Sequence, residues 1–405
     1  MKLRCALLGK TLGHSFSKLI HSYFADYSYD LLEVSEGECA RIIKSGEYDG
    51  LNVTIPYKEL AFSLCDDTDE IARGTGSVNT IVYRNGKIRG YNTDVFGFCG
   101  MVESDGIDFS GKNVLILGSG GTSKTAEFAS KMMGASSVTV VSRSGAVNYE
   151  NVYLKTETEI VVNTTPVGMY PNCDASPLDI SRFSALTGVV DVIYNPKKTE
   201  LLINAEALGI PHCNGLYMLS AQGFRASEIF LGRSLSPALI KKAERGVLSL
   251  TENIVLIGMP GSGKTTVGRI IAKKLGREFV DTDEVIRDRF GAPSDIITER
   301  GEAEFRALER EICREFGKKS GLVLATGGGV VETGENYKAL SRNGRIFCIT
   351  RNITELETHD RPLSKDLASL WIRRRDKYKA FADVFIENNK SPEATADEII
   401  KDSHP

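Results

Sequence analysis

The chain has 405 residues, 41% hydrophobic and 25% charged, with a formal net charge of −3. That length accommodates two to four globular units of roughly 100–200 residues, and 12 Pro with 39 Gly are too few for a collagen-like or low-complexity chain. The charge makes no case for nucleic acid or a membrane surface as partner, and no run approaches the ~20 apolar residues of a membrane span. The scattered cysteines form no CxxC pair and the histidines show no HExxH spacing, so reduced thiols, a cytoplasmic location and no protein-held zinc are expected.

Leu3 to Leu8 is an apolar burst running into Gly9, too short for a signal-peptide core and suited to a first strand. Asn85-Gly86 reads as a hairpin turn. A second burst, Val114 to Leu117, enters Gly118-Ser119-Gly120-Gly121-Thr122-Ser123, a G-x-G-G-x-S variant of the dinucleotide fingerprint. The next strand, Val138 to Val141, ends in Ser142-Arg143-Ser144. A free ribose 2′-hydroxyl is held by Asp or Glu at such a place, whereas Arg and hydroxyls suit a 2′-phosphate, so NADP is expected over NAD.

Ala238 to Arg245 reads as a closing helix, and Gly246 to Glu252 as a short joint where the main boundary falls. A third burst, Ile254 to Ile257, enters Gly258-Met259-Pro260-Gly261-Ser262-Gly263-Lys264-Thr265, the G-x-x-x-x-G-K-[ST] pattern. Glycine turns let the backbone N–H groups of Gly261, Ser262 and Gly263 face phosphate oxygens at the mouth of the helix that Thr266 continues. Lys264 is expected on the β/γ-phosphates of ATP and the Thr265 hydroxyl on Mg²⁺. Further on, Phe279-Val280-Asp281-Thr282-Asp283, read as a strand, sets both carboxylates on one side.

Several segments of the first half resemble shikimate dehydrogenases: Gly13-His14-Ser15-Phe16-Ser17, Asn52 to Glu59, Gly76 to Thr80, Gly90 to Asp94, Asn163 to Met169, Asp191 to Pro196 and Asn214 to Gln222. The resemblance implies Ser15 and Ser17 on the substrate carboxylate, and Lys18 stands where the family usually has proline. It implies Lys58 as proton donor with Asp94 as its partner, and Thr54, Asn79, Tyr194 and Gln222 also on the substrate. Thr165, Met169 and Gly215 would lie beside the nicotinamide, with Gly118 to Thr122, Ser142 and Arg143 on the rest of NADP(H). Read alone, Lys58 also fits a surface cation at a helix start and Asp94 a helix cap.

Residues 253–400 resemble shikimate kinases through the phosphate loop, Asp281 and Asp283, Gly301-Glu302-Ala303-Glu304-Phe305-Arg306, and Ala325-Thr326-Gly327-Gly328-Gly329. By that resemblance Asp281 joins Thr265 as a metal position, and Asp283, Arg306, Gly328 and Gly329 hold shikimate. Arg361, in Arg361-Pro362-Leu363, would close over the transferring phosphate. The stretch before it is shorter than the family usually has. Arg374, in Arg374-Arg375-Asp376-Lys377-Tyr378, would be the second carboxylate anchor, and Arg373, Arg375, Lys377 and Lys379 around it also fit a solvated helix face.

The expectation is therefore an α/β chain. Residues 1–248 form a dehydrogenase, with a substrate domain (1–98 and 225–248) and a Rossmann domain (99–224). Residues 249–405 form a P-loop kinase domain with a parallel sheet. The implied substrates are 3-dehydroshikimate and shikimate, and the reading allows a homo-oligomer. The alternative is a quinate/shikimate dehydrogenase fused to an impaired or regulatory small-molecule kinase domain.

Overall fold

The structure, a computed structural model, describes residues 2–13, 15–352 and 367–403. The chain divides into two compact units. One comprises Met1–Tyr194 with Thr199–Val247, the other Asn195–Lys198 with Leu248–Pro405. No helix among the described residues is long and apolar enough to cross a membrane.

The first unit holds two sheets. A six-stranded mixed sheet runs Ser28–Glu33, Arg4–Gly9, Gly50–Val53, Thr80–Arg84, Lys87–Tyr91, Asp67–Thr68. Its hairpin pairs Arg84 with Lys87 across Asn85 and Gly86, both at positive φ (52° and 72°), the turn that matches strand twist. A five-stranded parallel sheet runs His212–Cys213, Gly188–Asp191, Ile160–Asn163, Asn113–Leu117, Ser137–Val141. The strand order reverses beside Asn113–Leu117, and ligands bind in α/β sheets outside the carboxyl ends at such a point.

The second unit is a five-stranded parallel sheet ordered Phe279–Asp281, Val323–Ala325, Asn253–Ile257, Gly344–Thr350, Val384–Glu387. The apolar bursts are continuous because each central strand is buried on both faces. Val255 and Ile257 face one core while Ile254 and Leu256 face another. Val114 and Ile116 alternate with Leu115 and Leu117 in the same way.

Two expectations change. The helix read as ending at Arg245 runs Ala238–Thr251, so the joint is helical. Its buried stripe, Ile240, Ala243, Gly246 and Val247, keeps helical spacing through the supposed break. Gly246 is not a breaker there: a Cβ would strike the ring of Tyr23. Second, Phe279–Asp281 is a strand but Thr282–Phe290 is already a helix. Asp281 caps it, accepting from the N–H groups of Asp283 and Glu284 (3.0 and 3.4 Å), so the two acids meet through a capped first turn rather than along a strand.

Candidate active sites

A cavity of about 430 Å³ opens in the first unit, where Ser15, Ser17, Thr54, Lys58, Asn79, Asp94, Tyr194 and Gln222 all line it. Lys58 opens the helix Lys58–Leu64 and Asp94 the helix Asp94–Ser104. The second helix packs tightly on Leu216–Leu231, which carries Gln222. At Gly97 a Cβ would stand 2.6 Å from the Met218 carbonyl oxygen. Lys58 Nζ lies 2.6 Å from Asp94 Oδ2, with side chains 23% and 12% exposed, so neither is an ordinary surface group. The Asp94 side chain does not cap its helix. The Asp94 N–H donates to Asn92 Oδ1 at 3.0 Å, and the carboxylate instead accepts from Lys58 and Asn79 in the cavity wall.

Ser15 Oγ accepts from the Ser17 N–H at 3.3 Å, holding the two serines together before the short helix Ser17–Ser22. Tyr194 lies beyond the end of its strand, Gly188–Asp191, not within it. Its ring meets Phe16 edge-on at 6.2 Å, and burial raises its hydroxyl pKa. Gln222 Nε2 donates to Leu219 O at 2.8 Å.

The dinucleotide positions gather at the carboxyl ends of the parallel strands. Gly118 follows Leu117 with φ 106°, and a Cβ there would stand 2.9 Å from Thr164 Oγ1. Gly120 and Gly121 begin the helix Gly121–Met132, and space around both is open, which suits close approach of a pyrophosphate. Thr122 and Gly215 reach the cavity wall. Gly215 must be glycine because a Cβ would overlap the Val192 carbonyl. Ser142 and an exposed Arg143 sit in the turn that leaves Ser137–Val141. Ser119 also lies in the glycine turn, and Met169 is 46% exposed.

Asp191 was not singled out by sequence, yet it braces this end of the unit. Fully buried, it accepts from Asn163 Nδ2 (3.1 Å), Ile193 N (3.0 Å) and Thr199 Oγ1 (2.7 Å). Asn163 Oδ1 in turn accepts from the Thr165 N–H and hydroxyl at 3.0 and 2.7 Å. Burial still pushes the Asp191 carboxyl up to about 7, against those hydrogen bonds.

A second cavity, about 700 Å³, lies in the second unit and is lined by Gly261, Gly263, Lys264, Thr265, Thr266, Asp281, Asp283, Arg306, Gly328, Gly329 and Arg374. The phosphate loop turns through positive φ at Gly258, Gly261 and Gly263. Lys264 Nζ donates to Gly258 O and Met259 O, both at 2.9 Å. Ser262 does not reach the cavity: its N–H donates to Met259 O at 3.1 Å and its side chain is buried. Asn388, missed in the sequence, ties the loop to the fifth strand through Ser262 O at 2.8 Å.

Thr265 Oγ1 donates to Asp281 Oδ2 at 2.7 Å. A hydroxyl and one carboxylate form a sparse hard-oxygen set, which fits Mg²⁺ completed by phosphates and water. Arg306 Nη1 donates to Glu309 Oε2 at 2.9 Å and Nη2 to Glu302 Oε1 at 3.0 Å. Glu309 carried a signal that sequence reading passed over, since it interrupts the buried stripe Phe305, Ile312 and Phe316 of the helix Glu302–Gly317. Arg374 is buried, not solvated, unlike Arg373, Lys377 and Lys379 beside it. Its Nη1 donates to Gly328 O at 3.1 Å, and the Tyr378 hydroxyl reaches the same oxygen at 2.6 Å. Arg361 falls outside the described residues.

Both units have counterparts among known proteins. Residues 7–81 match the shikimate dehydrogenase substrate binding domain, and residues 260–404 match shikimate kinase. A shikimate dehydrogenase (NADP(+)) of Caldicellulosiruptor bescii is 36% identical over 252 residues, covering 55% of this chain and 88% of the relative. A chorismate mutase/shikimate 5-dehydrogenase fusion protein from Clostridium acetobutylicum aligns with a TM-score of 0.58 at 30% identity, over 61% of this chain and 97% of that one. Shikimate 5-dehydrogenase from Thermus thermophilus, solved with NADP(H) and shikimate, aligns at 0.54 and 30% identity, over 60% and 98%.

Proposed function

The chain belongs to the shikimate dehydrogenase family and carries a shikimate kinase domain, and on that premise we propose that it performs two successive reactions on one small ring acid. The first reduces 3-dehydroshikimate to shikimate with NADPH; the second phosphorylates the new 3-hydroxyl with MgATP. We assign residues 1–98 and 225–248 to the substrate domain, 99–224 to the NADP domain and 249–405 to the kinase. Eight free cysteines, most of them buried, support a cytoplasmic setting.

The observation that carries the first reaction is the Lys58–Asp94 pair at 2.6 Å, in the same cavity wall as Ser15 and Ser17. NADPH supplies the hydride. Ser15 and Ser17 hold the ring carboxylate, Thr54, Asn79, Tyr194 and Gln222 border the ring, and Lys58 Nζ gives its proton to the carbonyl oxygen as that oxygen becomes an alkoxide. Asp94, 2.6 Å away, fixes the ammonium in position, and solvent restores the proton afterwards. Arg143 and Ser142 hold the 2′-phosphate, Gly118 to Thr122 the pyrophosphate, and Thr165, Met169 and Gly215 border the nicotinamide.

In the second site Arg306 and Arg374 orient the carboxylate, with Gly328 and Gly329 close against the ring. Asp283 holds the attacking hydroxyl and accepts its proton as the oxygen bonds to the γ-phosphorus and the bond to ADP breaks. Phosphoryl transfer of this kind needs positioning and charge neutralisation above all. Lys264 and the phosphate-loop N–H groups supply these, and Thr265 and Asp281 hold the Mg²⁺ that neutralises the phosphates. Arg361 completes the set by resemblance.

The test uses the full chain with 3-dehydroshikimate, NADPH, ATP and Mg²⁺, following both cofactors. Lys58→Ala is expected to stop NADPH oxidation while added shikimate is still phosphorylated, and Lys264→Ala to do the reverse. A variant that stops both reactions, or neither, defeats the assignment. Quinate offered beside shikimate separates the alternative substrate.

A further inference from the structure

The short 3₁₀ turn Val330–Glu332 leaves the triple-glycine loop and ends on an acid. Three cations of the helix Leu367–Phe381 converge on that carboxylate: Arg374 Nε at 2.7 Å and Arg373 Nη2 at 3.0 Å on Oε1, and Lys377 Nζ at 2.5 Å on Oε2. They are not equivalent. The Arg373 and Lys377 side chains are 59% and 43% exposed and water solvates them, whereas the Arg374 side chain is 4% exposed. A buried guanidinium needs a carboxylate or several acceptors. Among the described residues Glu332 is the only acid in an ion pair with Arg374; the buried Glu309 acts on it at longer range, and its other partners, the Gly328 carbonyl and the Tyr378 hydroxyl, are neutral.

Glu332 holds the Nε edge and Gly328 O takes one hydrogen of Nη1, while the Tyr378 hydroxyl also lies against the guanidinium, and Arg374 lines the cavity. The guanidinium is planar, so two fixed corners set the direction of the third. One acid among three cations also leaves the cluster positive, so it still attracts an anion. Glu332 itself is absent from the cavity wall.

We propose that Glu332 is the positioning residue of the kinase site: it grips Arg374 from behind and presents the outer guanidinium edge to the carboxylate of the substrate. This rests on the reading of Arg374 as a carboxylate anchor. Its rival is an internal carboxylate that competes with substrate for Arg374. The bond to Nε alone, from an acid outside the cavity wall to an arginine within it, favours the positioning role.

Steady-state kinetics of the full chain separate these ideas, with the KM for ATP as the control for folding of the kinase unit and the dehydrogenase rate as the control for active protein. Glu332→Ala is expected to raise the KM for shikimate roughly tenfold, with the KM for ATP and the dehydrogenase rate unchanged. Glu332→Asp is expected to restore part of the loss. In an Arg374→Lys background, which keeps the charge but not the fork, Glu332→Ala is expected to add little further. An unchanged or lowered shikimate KM in Glu332→Ala, or additive effects in the double variant, overturns the proposal. If Arg374→Lys and Arg374→Ala both leave that KM unmoved, the anchor reading falls and takes the proposal with it.

Discussion

Asn79 donates from Nδ2 to Asp94 Oδ1 at 2.8 Å, on the oxygen opposite the one that receives Lys58. The Asn79 amide cannot turn over, because its Oδ1 already accepts the Thr93 N–H at 2.9 Å. One side-chain amide therefore sets the plane of the carboxylate that holds the proton donor. Asn79→Ala is expected to lower dehydrogenase kcat/KM by roughly thirty- to a hundredfold, the worth of a hydrogen bond to a charged group. Kinase rates measured on the same preparation are expected to stay level. A loss of less than about threefold would remove Asn79 from the site.

Gly329 tests whether Arg306 must stand where it does. A Cβ on Gly329 would sit 2.8 Å from Arg306 Cζ, and Gly329 has φ −96°, which alanine accepts. Gly329→Ala therefore displaces a side-chain end and leaves the backbone in place. The expected result is a melting temperature within a few degrees of the parent and a KM for shikimate raised about tenfold or more, with the KM for ATP held. A parallel rise in both constants would point to collapse of the loop instead.

Glu309 is fully buried, and its Oε1 has no hydrogen-bond partner among the described residues. Burial pushes its carboxyl up from 4.5 to about 7, against the pull of Arg306. Between those two pH values the folded protein keeps a proton that the unfolded chain has released. Stability from this group is therefore complete below 4.5, falls as pH rises toward 7, and levels off above. Glu309→Gln has no such proton. Subtracting its urea-unfolding profile from that of the parent is expected to leave a downward slope within this window, and a flat difference would refute the account.

Arg143 is exposed in the turn after Val141, with hydroxyls on either side. Arg143→Ala is expected to raise the KM for NADPH by roughly ten- to a hundredfold while the KM for NADH moves little, since only NADPH carries the 2′-phosphate. Equal effects on both would place the arginine elsewhere on the dinucleotide.

Local patterns in the chain were legible because local physics makes them. Glycine turns after apolar bursts, the Asn85-Gly86 hairpin and the dehydrogenase substrate positions each depend on a few adjacent residues, and these last come together in one wall. What escaped depends on partners distant in sequence. Asp191 works through Asn163 and Thr199, Glu332 through residues about forty positions later, and Asn388 through a loop 126 residues earlier. Asp281 and Asp283 were misplaced for a local reason: a strand pattern and a capped helix start share the same five residues, and the cap prevailed.

The Gly328 carbonyl receives two donors, a phenol and a guanidinium some fifty residues away. Three consecutive glycines would by themselves be the slackest stretch of the domain, yet their middle peptide is clamped. The stiffness of that loop is thus inherited from the helix Leu367–Phe381 rather than encoded in its own letters. Anyone transplanting the glycines into another scaffold should expect a limp ribbon unless Tyr378 and Arg374 travel with them.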